Sequence, residues 1–155
     1  MPEIERKFVV GTIPEGLLQS GSAVRQGYLD IEPVEVRIRT RDGRHELTVK
    51  STGGLTRTEV NVGLTAEQFD ELWQLVDGVV EKTRHEVALS GHVVEVDVYG
   101  GKLDGLVVAE VEFHSEREAA SFTPPSWFVK EVTDDPNYRN AALASADKPP
   151  NHLLA

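Results

Sequence analysis

Along most of this chain apolar and polar residues alternate one for one, the period of a β-strand with a single buried face. The alternation predicts strands at residues 3–10, 23–31, 34–41, 45–51, 57–63, 79–89, 92–99 and 105–113. Turn chemistry separates them: Arg41-Asp42-Gly43 reads as a hairpin turn, and Gly53-Gly54, Ser90-Gly91 and Gly100-Gly101 mark other joints. Eight strands joined mostly by short turns predict an antiparallel sheet, and closure would remove its exposed edges. The expected fold is therefore mainly β (α+β), an eight-stranded antiparallel closed β-barrel with a few flanking helices.

The period lengthens to that of a helix where Phe69, Leu72, Trp73 and Val76 recur. Thr65 and Gln68 form a capping-box pattern ahead of this stripe, which is expected to pack on the outer face of the sheet. A shorter helix is predicted after Pro14, around Leu17 and Leu18. Another is predicted near Asp134-Asp135-Pro136, where a capping carboxylate precedes a first-turn proline. No internal repeat or linker divides the chain. One domain is expected over residues 1–146, followed by a flexible C-terminal tail over 147–155 that contains Pro149-Pro150.

Composition narrows the function. A length of 155 residues suits one domain, and 39% hydrophobic with 27% charged residues is an ordinary globular balance. The net charge of -10 argues against a nucleic-acid partner, although a basic pocket or bound cations can still reverse the field locally. With no cysteine, thiolate chemistry, disulfides and iron–sulfur clusters are excluded. No apolar run approaches the roughly 18–20 residues of a membrane span, and the charged start Met1-Pro2-Glu3-Ile4-Glu5-Arg6-Lys7 does not resemble a signal peptide. The expectation is a cytoplasmic protein with no membrane partner; a homodimer is compatible with this reading.

The informative feature is charge that repeats at i, i+2 within strands, and so on one face of each. Glu3, Glu5 and Lys7 share a face, as do Arg37 and Arg39, Thr48 and Lys50, Glu59 and Asn61, Lys82 and Arg84, Glu95 and Asp97, and Glu110 and Glu112. For any one strand this is the wet side of a half-buried sheet. Across seven strands the signs are sorted, carboxylates with carboxylates and cations with cations, which points to a site. Were these faces to turn inward, incompletely paired charges would be costly without ligands. A polyanion suits the cations, and Mg²⁺ or Mn²⁺ suits the carboxylates.

Glu3-Ile4-Glu5-Arg6-Lys7-Phe8 matches the ExExK signature of the CYTH domain, the triphosphate tunnel metalloenzyme superfamily. The resemblance continues in order through Val36-Arg37-Ile38-Arg39, Leu47-Thr48-Val49-Lys50, Glu59, Glu81-Lys82-Thr83-Arg84, Glu95-Val96-Asp97, Ala109-Glu110-Val111-Glu112 and Lys130-Glu131-Val132-Thr133-Asp134-Asp135. It implies an eight-stranded tunnel that binds a triphosphate-containing small molecule with one or two divalent ions, Mg²⁺ or Mn²⁺. Carried over by position, Glu3, Glu5, Glu110 and Glu112 are the metal carboxylates, with Glu59 and Asp97 in the same acidic group. Lys7, Arg37, Arg39, Lys50, Lys82 and Arg84 form the phosphate cradle, with Lys130 and Arg139 added from the C-terminal segment.

The implied reaction is metal-dependent hydrolysis of inorganic triphosphate, water attacking a terminal phosphoryl group. Lys7 and Arg84 would neutralise that group. Tyr28 is read either as the proton-transfer partner of Lys82 or as a tyrosine packed at the tunnel mouth. Similar proteins act on thiamine or nucleoside triphosphates, and one branch cyclises ATP. An adenylate cyclase of the class IV type is thus the alternative, and a non-catalytic polyphosphate or nucleotide binding module the alternative of another kind. The sequence has no P-loop, no zinc-ligand spacing among its five histidines and no nucleophile elbow at Ser90 or Ser115.

Overall fold

The computed structural model describes residues 4–51 and 58–150. Nine strands form one antiparallel sheet: β1 (Ile4–Val10), β2 (Ser22–Asp30), β3 (Val34–Arg41), β4 (Arg44–Ser51), β5 (Glu59–Leu64), β6 (Val79–Leu89), β7 (His92–Tyr99), β8 (Val107–Phe113) and β9 (Phe128–Glu131). Their order is β5-β4-β3-β2-β6-β7-β8-β1-β9. The turns follow the local chemistry. Asp42 and Gly43 take φ of 53° and 74°, and Ser90 and Gly91 take 51° and 80°, the paired positive angles of a tight hairpin whose twist matches its strands.

The expected closed eight-stranded barrel is not found. The sheet is open, with β5 at one end of the order and β9 at the other. The physical reason lies at β1. One of its edges pairs with β8, from Ile4↔Phe113 to Val9↔Val108, and the other with β9 through Phe8↔Glu131, Val9↔Lys130 and Val10↔Phe128. The short ninth strand takes the edge that closure onto β5 would need, and the four residues of Phe128–Glu131 are too few for alternation to reveal.

Three short helices join the sheet: α1 (Ala66–Trp73), α2 (Glu116–Ser121) and α3 (Asn140–Ser145). The capping box ahead of α1 is present, Thr65 Oγ1 accepting from Gln68 N at 3.1 Å and Gln68 Oε1 accepting from Thr65 N at 2.9 Å. Its stripe packs closely on the sheet: a Cβ on Gly27 would lie 2.7 Å from Val76 and 3.0 Å from Trp73, so this point of β2 admits glycine. The helix expected after Pro14 is a single turn, Leu17 N–H donating to Pro14 O, interrupted by Gly16 at φ 79°. The cap at Asp135-Pro136 instead starts a 3₁₀ turn over Pro136–Tyr138. Among the described residues no helix is long and apolar enough to cross a membrane.

Two cores lie on opposite faces. The outer one gathers Phe8, Val94, Val96, Val111 and Phe113 beneath Ala119 and Phe122 of the α2 segment. Arg6 stitches this face together: Nε and Nη2 donate to Glu131 at 3.0 and 2.8 Å, and Nη1 donates to the carbonyls of Ala119 and Phe122 at 2.9 and 3.1 Å. The inner core collects Val9, Tyr28, Val80, Tyr99, Leu106, Val108, Tyr138, Leu143 and Ala144, so the 3₁₀ turn and α3 pack against the charged face of the sheet. Arg6→Ala removes bonds to β9 and α2 together and should cost about 2 kcal/mol in urea unfolding, since two of its acceptors are carbonyls that lose a charged donor. A loss below about 0.5 kcal/mol, the range of an inert surface change, would contradict the role given to Arg6.

Candidate active site

Strand register turns the i, i+2 pattern into one cavity. Residues opposite one another on neighbouring strands share a face, and the register sets Lys7 against Glu110, Glu5 against Glu112, Glu110 against Glu95, and Lys50 against Glu59. The resulting hollow measures about 1090 Å³ and takes side chains from β1 through β8. Signs that are sorted by strand in the sequence thus become neighbours in space.

Of the expected cradle, Lys7, Arg37, Arg39, Lys50, Lys82, Arg84 and Arg139 line this cavity, whereas Lys130 does not. Of the expected metal carboxylates, Glu5, Glu59, Glu110 and Glu112 line it, Asp97 does not, and Glu3 lies outside the described residues. Tyr28 and Lys82 both reach the cavity wall but lie four residues out of register on adjacent strands, Gly27 facing Val79 and Val24 facing Lys82. Each bonds elsewhere.

Behind the cavity wall sits a buried ionic cluster. Asp97, 2% exposed, accepts from Arg84 Nε at 2.8 Å, from Arg84 Nη2 at 2.9 Å and from Lys82 Nζ at 2.9 Å. Arg84 Nη1 also donates to Glu95 at 3.0 Å. Burial disfavours the ionised Asp97, but the hydrogen bonds from Arg84 and the charge of Lys82 prevail and hold its pKa at about 2. For Lys82 burial outweighs Asp97, so the ammonium titrates below its usual value. Its Nζ lies 5.5 Å from the centre of the Tyr99 ring.

The remaining cations are held less deeply. Lys7 Nζ lies 3.3 Å from Glu110 and donates to the Tyr138 carbonyl at 3.1 Å, and Lys50 Nζ lies 3.1 Å from Glu59. Glu59 is held below the usual carboxylate range chiefly by that lysine. Gln26, buried on the same face, donates to the Tyr28 hydroxyl at 2.9 Å. Burial raises the Tyr28 pKa despite Arg37 nearby, so the phenol keeps its proton.

Sequence reasoning did not select Gln26 or Glu46, both of which line the cavity. Each stands two residues from a selected position, Tyr28 and Thr48 respectively, so continuing the period of two would have found them.

The donor set fits a hard divalent cation: it is all carboxylate oxygen, and Glu5 faces Glu112 and Glu95 faces Glu110 with like charge directly across the strands. Such pairs repel unless a cation lies between them. Among the described residues no three carboxylates converge closely enough to form a metal cage as they stand.

Known proteins are similar to this chain in sequence. A protein of Nitrosomonas europaea called "Inorganic triphosphatase" is 45% identical over 148 residues, covering 93% of this chain and 97% of its own. One of the same name from Acetivibrio thermocellus is 36% identical over 145 residues, covering 91% and 92%. A crystal structure described as that of an inorganic triphosphatase superposes with a TM-score of 0.79 at 41% identity, covering 97% of this chain and 98% of the other. The family model for the CYTH domain matches residues 1–141, and the chain belongs to the CYTH domain family.

Proposed function

We propose that this chain is an inorganic triphosphatase that hydrolyses tripolyphosphate in its charged cavity. The observation that carries the reading is the 45% identical relative of that name, matched over nearly the full length of both chains. The cavity supports it, with cations from β1, β3, β4 and β6 converging on the same hollow as the carboxylates of β8.

Water attacks the terminal phosphorus, its oxygen forming the new P–O bond while the bridging P–O bond breaks. Orthophosphate and pyrophosphate leave. Arg37 and Arg39 grip phosphoryl oxygens along the chain, because a planar guanidinium matches them in fork geometry. Lys7 and Arg84 neutralise the terminal group as charge redistributes, and the Asp97 anchor keeps Arg84 and Lys82 from moving as it does so. The Tyr28 hydroxyl, which already accepts from Gln26, retains its own proton to donate to a phosphate oxygen. Glu5, Glu110 and Glu112 are the residues that would hold Mg²⁺ or Mn²⁺, which supplies charge neutralisation and water activation when bound.

An adenylate cyclase would need a surface for adenine. Among the described residues Tyr28 is the aromatic side chain lining the cavity, and it is 1% exposed. Comparing tripolyphosphate, ATP and thiamine triphosphate with Mg²⁺ or Mn²⁺ should give the highest kcat/KM for tripolyphosphate, with no cyclic AMP from ATP. Cyclic AMP formation would replace this reading with a cyclase, and a thermal shift with tripolyphosphate but no turnover would replace it with a binding module.

A further inference from the structure

Strand β3 carries a third cation on the cavity face. Arg41 follows Arg37 and Arg39 at the same period of two, and the register places it opposite Val24 on one side and Arg44 on the other. The cations of the two strands differ in how they are held. On β6, Lys82 and Arg84 meet Asp97 at 2.9 and 2.8 Å. On β3, Arg39 has Glu46 at 3.8 Å, and Arg41 has Asp42 and Glu86 each at 3.7 Å, all longer than a hydrogen bond.

Asp42 and Glu86 are 65% and 61% exposed, so solvent screens both contacts and neither holds Arg41 firmly. The Nε atoms of Arg37 and Arg41 are buried without a hydrogen-bond partner among the described residues. A buried guanidinium donor left unmet is costly and marks a place where an acceptor belongs. Burial, then Arg37, and more weakly Arg84 and Arg41, hold the Arg39 pKa below its usual value, with Glu46 opposing them.

Arg39, Arg41, Asp42, Arg44 and Glu46 line a second hollow of about 450 Å³. It shares Arg39 and Glu46 with the main cavity. Arg41 lies two residues beyond Arg39, about 7 Å along an antiparallel strand, in the direction a longer anion would extend.

We propose that this hollow is an outer anion subsite, in which Arg41, aided by Arg44, binds the phosphoryl group of a linear polyphosphate that projects beyond the triphosphate cradle. The inference rests on the reading of the main cavity as that cradle. The long contacts to Asp42, Glu46 and Glu86 give way to the stronger phosphoryl acceptor.

The test compares linear tripolyphosphate with linear tetrapolyphosphate by calorimetric titration in chelator, using wild type, Arg41→Gln and Arg41→Lys. Wild type should bind tetrapolyphosphate about tenfold more tightly, the scale of one charge-assisted hydrogen bond. Arg41→Gln should abolish that preference, and Arg41→Lys should keep part of it. An equal loss for both anions, or a preference unchanged in Arg41→Gln, would overturn the subsite. Turnover of tripolyphosphate by wild type is scored separately, so failure of the triphosphatase reading is distinguishable from failure of the subsite.

Discussion

Replacing Asp97 by asparagine is expected to lower stability by about 3 kcal/mol at neutral pH, because removing one partner strands the other charges of a buried cluster. In a domain of this size that corresponds to a melting temperature lower by roughly 10 °C. The cost should depend on pH in a definite sense. The folded-state pKa of about 2 lies below the ordinary 3.8, so the stability contributed by Asp97 is present above pH 3.8 and is lost as pH falls through about 2. Wild type and Asp97→Asn should therefore converge in stability in strong acid.

The same variant separates two roles for Asp97. If it anchors Lys82 and Arg84, the KM for tripolyphosphate rises and the metal concentration for half-maximal activity stays put. If it ligates metal, as the family pattern implies, the metal requirement rises and stability barely changes. Its three hydrogen bonds from cations, and its place behind the cavity wall, favour the anchor.

Glu112→Gln is expected to have the largest effect on activity. Glu112 lines the cavity opposite Glu5 in the strand register and is solvent-exposed, so Glu112→Gln should leave stability within about 0.5 kcal/mol of wild type. The rate with tripolyphosphate should nevertheless fall about a hundredfold or more, as happens when one electrostatic contact to a developing charge is lost. A metal titration should show the half-activating concentration of Mn²⁺ moving up at least tenfold. An unchanged metal curve with normal turnover would remove Glu112 from the metal-holding set.

How much of this could be read before folding differs between the sheet and the site. Strands β1 to β8 are legible from stretches of alternation bounded by turn residues, clearest in β3 and β4, and the hairpins at Asp42-Gly43 and Ser90-Gly91 announce themselves by residue type. The openness of the sheet is not. It depends on Phe128–Glu131 reaching the free edge of β1, a long-range pairing that local alternation does not encode.

The side chains that share the charged face were legible by the same period, Arg37 with Arg39 and Glu110 with Glu112. Their partners were not, since pairing follows register: Lys7 meets Glu110 across 103 positions of sequence only because β1 lies beside β8. For the same reason Asp97 looked equivalent to Glu95 in the sequence. Arg84 bonds to both, and only the burial of Asp97 and its additional capture by Lys82 set them apart. Arg41 closes the strand over 34–41 and keeps the period of the arginines before it, but it also opens the Arg41-Asp42-Gly43 turn pattern, which hides that periodicity in the sequence.

This cavity is expected to hydrolyse tripolyphosphate with a divalent ion held by its carboxylates. The most direct measurement is the stoichiometry of orthophosphate and pyrophosphate released from tripolyphosphate by wild type and Glu5→Gln, with Mg²⁺ or Mn²⁺ and with chelator. Wild type with metal should release one of each product per tripolyphosphate, and release should fall near background in chelator or in a folded Glu5→Gln variant. Equal release with and without metal, or from both proteins, would contradict it.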